Sequence, residues 1–141
     1  MMREILFRGK CYSSLYEHEN IWLKWLYGSL QTMPDGRCLI YDSNKTQWVN
    51  VDPETVGQYT GLKDENGVKI FEGDYLLCAK FIGGNWVERI CERGYVECKH
   101  GAFGLHRKGG YYRSFQCWLE DYEYEVIGNI YDNPELLEEK N

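Results

Sequence analysis

The 141-residue sequence predicts a mostly β protein. Aromatic residues make up 16% of the chain, and tyrosine and tryptophan both favour strands and bury large areas. Short apolar stretches alternate with turns rich in glycine, asparagine and proline, a spacing typical of a small barrel or sandwich. We therefore predict an N-terminal β meander over residues 1–53, packed on a second β domain over residues 54–141.

The N-terminal meander is predicted from apolar stretches and the turns that separate them. Pro34-Asp35-Gly36 is a turn, because proline presets φ, aspartate can accept from the following backbone and glycine tolerates positive φ. The polar residues 42–45 form a second turn. The predicted strands are Ile5–Arg8, Ile21–Leu30, Arg37–Tyr41 and Thr46–Val51.

Turn signals are densest after Pro53. Asn66-Gly67 fits the two-residue type I′ turn of a hairpin. One short C-terminal helix is predicted, with Asn133 as its N-cap and Pro134 in its first position. The predicted strands are Tyr59–Leu62, Val68–Phe71, Tyr75–Phe81, Trp86–Cys91, Gly94–Lys99 and Tyr124–Tyr131.

The compartment is predicted from the apolar runs and the cysteines. The first apolar run is too short for a signal-peptide core, and no run approaches the roughly 20 residues that span a bilayer. Six cysteines are then expected to be reduced and mostly buried rather than paired in disulfides. We expect a cytoplasmic protein with no membrane partner.

No catalytic or cofactor motif is found, so we expect no cofactor. No glycine-rich phosphate pattern precedes a helix. The acid pairs Asp64/Glu65 and Glu72/Asp74 flank turns, where solvated carboxylates are the common case. Because no nucleophile, base and stabiliser can be assembled, the sequence favours a binding protein over an enzyme.

A metal site is a weak alternative. Cys98 and His100 are two residues apart and would share one face of a strand. The cluster matches no standard zinc spacing, and no cysteine pair has CxxC spacing. Its candidate ligands are Cys91, Cys98, His100 and His106.

A basic and aromatic segment is the most informative local feature. The net charge of −6 argues against a protein that coats nucleic acid, but residues 98–119 contain cations and no acid. Cations for phosphates and rings for stacking suit a single-strand binder. The alternative is a solvated hairpin whose aromatic residues belong to the core. The candidate binding surface is Lys99, Phe103, Arg107, Lys108, Tyr111, Tyr112 and Arg113.

Four stretches of the chain carry a family resemblance. They are residues 54–67 continuing over 69–74, Arg3–Lys10, Trp25–Leu30 and Val126–Leu137. The first is similar to the central signature of the YopX family of small phage and prophage proteins, the second to the family's start, and the other two to further family elements. The resemblance implies an SH3-like small barrel in the C-terminal part and a phage or prophage origin, hence the cytoplasm of a bacterial host. It implies no activity and no catalytic residues.

Three functions remain open at this point. The first is a non-catalytic interaction module for a host or phage protein, because SH3-like barrels often present aromatic grooves to peptides. The second is single-stranded nucleic-acid binding through the basic and aromatic hairpin. The third is a metal-dependent enzyme. Open strand edges also predict a homo-oligomer.

Overall fold

A computed structural model describes residues 4–11, 24–82, 85–107, 112–115 and 122–138. For residues 79–82, 85–92, 113, 122, 137 and 138 it describes the backbone alone. Strands dominate the described residues, which confirms the prediction of a mostly β protein. In that part of the chain, no helix is long and apolar enough to cross a membrane.

The strands and 3-10 helices follow one another along the chain. They are β1 (Phe7–Lys10), β2 (Trp25–Gly28), β3 (Leu30–Thr32), β4 (Cys38–Asp42), β5 (Gln47–Val51), η1 (Pro53–Thr55), β6 (Gly57–Lys63), β7 (Lys69–Phe71), β8 (Asp74–Ile82), β9 (Asn85–Lys99), β10 (Ala102–Arg107), β11 (Tyr112–Ser114), β12 (Tyr122–Asn129) and η2 (Pro134–Glu138).

The chain divides into two compact units, Met1–Gly61 and Leu62–Asn141. The sequence placed this division after residue 53. In the first unit, β1 lies between β2 and β6 and pairs antiparallel with both. Strands β3, β4 and β5 form a separate antiparallel meander.

Close backbone approach holds the two sheets of the first unit together. A Cβ on Gly9 would lie 2.9 Å from Cγ2 of Val51, and one on Gly28 would lie 2.5 Å from the carbonyl oxygen of Tyr41. Only glycine leaves room at both points. The core between the sheets consists of Cys11, Leu26, Cys38, Ile40 and Val51.

The second unit contains a five-stranded antiparallel sheet in the order β11-β10-β9-β8-β12, and β7 pairs with β6 instead. Strand β9 runs unbroken through the region where the sequence predicted two strands, 86–91 and 94–99, so that prediction was wrong. At Gly94 the backbone of β9 lies so close to β10 that a Cβ would clash with the carbonyl oxygen of His106. The core consists of Ile70, Leu76, Cys78, Val96, Leu105, Phe115 and Tyr124.

The hairpin between β6 and β7 has a different turn from the predicted type I′. Gly67 has a φ of 82°, but Asn66 is not among the residues with positive φ. The N–H of Gly67 donates to the carbonyl of Asp64, whose own N–H donates to the carbonyl of Val68. These bonds define a three-residue loop with glycine in the left-handed position.

All four acids beside these turns were expected to be solvated, but two of them are buried. Asp64 is 7% exposed and Asp74 is 2% exposed. Hydrogen bonds from backbone N–H groups compensate this burial, from Asn66 and Val68 to Asp64 and from Phe71 to Asp74. These two acids therefore hold the backbone in place.

The last element among the described residues is η2, a 3-10 helix in the region where the sequence predicted a short helix. The N–H of Leu136 donates to the carbonyl of Asn133, and Oδ1 of Asn133 accepts from the N–H of Asn129. Asn133 thus ties the start of η2 to the end of β12. No α-helix occurs among the described residues.

Candidate binding face of the C-terminal unit

One face of the second sheet carries aromatic rings in register. His106 on β10 lies opposite Tyr95 on β9 and opposite Tyr112 on β11. Side chains two apart on a strand point to the same side, so Glu97 and Lys99 join the three rings. We call Tyr95, Glu97, Lys99, His106 and Tyr112 the outer face.

The imidazole of His106 is held by two neighbours on β9. Its ring stacks on Tyr95 with the ring centroids 4.8 Å apart and the planes 19° from parallel. Its Nδ1 lies 3.0 Å from Oε1 of Glu97. The His106 and Glu97 side chains remain 29% and 26% exposed. The ring is therefore fixed in orientation while part of it faces solvent.

The contact with Glu97 decides which nitrogen of His106 carries the proton. An ionised carboxylate only accepts hydrogen bonds, so Nδ1 must donate. In the neutral ring, Nε2 is then left with a lone pair and acts as an acceptor. The outer face therefore contains an oriented imidazole between aromatic rings.

Tyr112 lies on β11, on the opposite side of His106 from Tyr95. Its hydroxyl donates to the carbonyl of Ala102 at 2.5 Å, near the tip of the β9–β10 hairpin. Nζ of Lys99 lies 5.8 Å from the centroid of the Tyr112 ring, within cation–π range. Burial raises the pKa of Tyr112, and the nearby carboxylate of Glu97 acts in the same direction. The phenol therefore stays protonated and keeps donating.

The hairpin tip is a two-residue turn that the sequence analysis did not predict. His100 and Gly101 both have positive φ, 54° and 78°, which is the type I′ pattern. Strand β9 ends at Lys99, so His100 lies in the turn and shares no strand face with Cys98. The predicted Cys98/His100 arrangement was therefore wrong.

The remaining metal candidates do not come together either. Cys98 lies opposite Phe103 on the other side of the ladder from His106. The side chain of Cys91 lies outside the described part of the chain. Among the described residues, no group of three or more histidine, cysteine or acidic side chains could hold a metal ion.

The predicted binding residues are divided between the two sides of the sheet. Lys99 and Tyr112 belong to the outer face. Phe103 packs against the core, and Arg107 alternates to the same side of β10. Lys108, Tyr111 and the side chain of Arg113 lie outside the described residues.

Sequence reasoning missed Tyr95 and Glu97. Their alternation with buried Val96 is a readable strand pattern, but it does not say which residues lie opposite. The register with β10 depends on the turn at His100-Gly101, and histidine at positive φ is uncommon. Reading that turn correctly would have placed His106 beside Tyr95.

Comparison with known proteins identifies the family. The family model described as YopX protein matches residues 7–138 of the chain. The chain belongs to the YopX family. The resemblance predicted from the sequence is thus confirmed.

A solved structure resembles this YopX-family chain over nearly its whole length. It is protein EF1440 from Enterococcus faecalis, with 24% sequence identity and a TM-score of 0.48. The match covers 96% of this chain and 99% of that one. A search of curated proteins gives no match.

Proposed function

We propose that this YopX-family protein is a non-catalytic protein-interaction module whose outer face binds a peptide segment of a partner. The observation that carries the proposal is the in-register row of Tyr95, His106 and Tyr112 on three adjacent strands. Phenol and imidazole rings on paired strands offer contact area at little entropic cost, which is typical of binding anchors.

The order of the five-stranded sheet supports a finer assignment of the second unit. Its first strand, β8, lies between the last strand, β12, and the second strand, β9, and β10 and β11 follow as a meander. That is the strand order of an SH3-like barrel. We therefore propose this architecture for the C-terminal unit, consistent with peptide binding by other folds of this kind.

The location and assembly follow the same proposal. Cys11, Cys38, Cys78 and Cys98 are free thiols, as is usual in a reducing compartment. We propose that the protein acts in the cytoplasm of a bacterial host and originates from a phage or prophage. Pairing between β11 or β12 edges of two copies would give the predicted homo-oligomer.

The geometry favours a protein over a single-stranded nucleic acid. Phe103 packs against the core, so its ring is directed away from a base stacked on the outer face. The Tyr112 hydroxyl is bonded back to the hairpin, and Glu97 places a negative charge where a phosphate would approach. Nucleic acid remains as an alternative outcome of the test.

The test is capture of peptides from a random-sequence display library by the full chain. We expect wild-type protein to retain peptides that Tyr95→Ala binds about tenfold more weakly, because that substitution removes the ring under His106. Trp48→Ala is the matched control, because Trp48 is an exposed aromatic residue of the other unit, 44% exposed. Near-ultraviolet circular dichroism checks that each variant is folded.

Two results would contradict the proposal. One is retained peptides that bind Tyr95→Ala as tightly as wild type. The other is binding of a fluorescent oligothymidylate that weakens as salt rises, with no peptide retained. The second result would support the nucleic-acid alternative.

A further inference from the structure

The three-stranded sheet of the first unit has one side that faces away from its core. Strand β4 alternates, with Cys38 and Ile40 buried in the core and Leu39 and Tyr41 half-buried on the other side. The register adds the residues that lie opposite Leu39 and Tyr41 on the neighbouring strands. We call this set the neutral face, and its members are Gln31, Leu39, Tyr41, Trp48 and Asn50.

An exposed tryptophan is the largest side chain of the neutral face. Trp48 lies on β5 opposite Tyr41 and is 44% exposed. The two ring centroids are 5.4 Å apart and the planes are 60° from parallel, so the Tyr41 ring supports the indole from one side. The exposed part of the indole is a flat apolar surface with negative π density, which attracts the C–H groups of a ligand.

The polar groups around this ring both donate and accept hydrogen bonds. Asn50 is two residues from Trp48 on β5 and points to the same side, and Tyr41 adds a phenol on the next strand. Gln31 ends the row that runs from Asn50 through Leu39. Amides and phenols each donate and accept, and none of the five side chains carries a charge. The neutral face therefore matches an uncharged ligand that presents hydroxyl groups beside C–H groups.

The size of the neutral face favours a small ligand over a protein. Strands β4 and β5 have five residues each. At about 3.4 Å per residue and about 4.8 Å between strands, the three-stranded sheet gives a surface of about 17 by 14 Å. A stable protein interface needs about 800 Å² from each partner, which is several times this area. A short chain of sugar rings fits the available surface.

We propose that the neutral face binds a linear, uncharged oligosaccharide, with one sugar ring stacked on Trp48. A pyranose has C–H bonds on its flat sides and hydroxyl groups around its rim. Its C–H side meets the indole, and its hydroxyl groups exchange hydrogen bonds with Asn50 and Tyr41. A phosphorylated, sulfated or carboxylated sugar finds no counter-charge on this face, so its desolvation is not compensated. The inference is independent of the proposed function, because it concerns the other unit.

The test is titration of the full chain with a panel of neutral hexasaccharides built from glucose, mannose, galactose or N-acetylglucosamine. We expect at least one of them to bind with a Kd of about 1 mM or below. Its binding should shift the amide NMR signals of residues 39–41 and 47–50. Hexagalacturonate carries a carboxylate on every ring, and it should bind at least about tenfold more weakly.

Three variants separate stacking from hydrogen bonding. Trp48→Ala should weaken binding about tenfold, and Trp48→Phe, which keeps a smaller ring, should lie between that variant and wild type. Asn50→Ala should weaken binding about fivefold, which corresponds to one hydrogen bond. Tyr95→Ala is the matched control, because it removes an aromatic ring of the outer face and should bind the sugar as wild type does. The amide spectrum of each variant shows whether it is folded.

Three results would overturn the inference. They are no binding of any neutral hexasaccharide up to about 10 mM, undiminished binding by Trp48→Ala, and tighter binding of hexagalacturonate. A decaproline peptide is titrated in parallel. If it shifts the same signals more strongly than any sugar does, the face binds a proline-rich protein segment and the inference also fails. Peptide capture through Tyr95 is measured separately, so failure here leaves the proposed function standing.

Discussion

The carboxylate of Asp64 accepts a hydrogen bond from the backbone N–H of Val126, 62 residues further along the chain, at 3.0 Å. Its other oxygen accepts from the N–H groups of Asn66 and Val68, inside the β6–β7 hairpin. The pairing of β12 with β8 shifts register between Val126 and Gly128. Asp64 therefore supplies the acceptor for a backbone donor at this irregularity and joins the hairpin to β12.

The first prediction is that Asp64→Asn destabilises the protein by about 2–3 kcal/mol. An amide has one oxygen, so its N–H₂ group faces a backbone donor and buried hydrogen bonds are lost. Chemical denaturation measures the change. Asp35→Asn is the control, because Asp35 accepts from the N–H of Arg37 in an exposed turn, and it should cost clearly less. Equal losses in the two variants would contradict the role assigned to Asp64.

Residue types predicted the existence of this hairpin but not the role of its acid. The glycine at 67 marks the turn, since its positive φ is open to glycine at no cost. Burial of Asp64 depends on Val126, a contact far away in sequence that no local pattern encodes. Sequence alone therefore predicts a solvated carboxylate beside this turn, because the distant N–H group that donates to it is not visible in the local pattern.

The same limit applies to the outer face. The alternation in β9 predicts that Tyr95, Glu97 and Lys99 share one side of the strand. Which residues of β10 lie opposite them depends on the turn at His100-Gly101. Strand ends were predicted to within a few residues where a turn contained proline or glycine, as at Gly36 and Gly73. The break predicted near Gly94 was wrong because that glycine allows close approach of β10 rather than a change of direction.

The second prediction concerns an acid pair beside the hairpin. A side-chain hydrogen bond with Glu123 raises the pKa of Glu65 above its ordinary value of 4.5, and burial and nearby carboxylates act in the same direction. The folded-state pKa lies above the unfolded one, so the pair's contribution is complete below about pH 4.5 and is lost as pH rises through the raised pKa.

Glu65→Gln should remove this loss, because an amide keeps a donor for Glu123 at every pH. Thermal unfolding should show the variant gaining stability relative to wild type as pH rises from about 4 to about 7. Glu54→Gln is the control at an exposed site in η1. Parallel curves of Tm against pH for Glu65→Gln and wild type would show that the two acids do not share a proton.

The third prediction tests the close approach of β2 and β4. Gly28→Ala should cost about 1–3 kcal/mol, because its Cβ would lie 2.5 Å from the carbonyl oxygen of Tyr41 and backbone must move. Gly36→Asn is the control that separates this clash from the loss of glycine's conformational freedom. Gly36 has a φ of 93° and open space around it, so its substitution strains the backbone without a clash. A Gly28→Ala protein as stable as wild type would contradict the packing.

The last prediction joins the hairpin tip to the outer face. Tyr112→Phe removes the hydroxyl that donates to the carbonyl of Ala102 but keeps the ring beside His106. The turn at His100-Gly101 should then open more readily, by about 1 kcal/mol for one hydrogen bond. Amide hydrogen exchange at the tip should quicken about fivefold, which corresponds to that free energy. Tyr41→Phe, whose ring lies beside Trp48 in the other unit, should leave that exchange unchanged. Unaltered exchange in Tyr112→Phe would mean that the turn residues alone hold the tip closed, and the hydroxyl would then have no part in shaping the outer face.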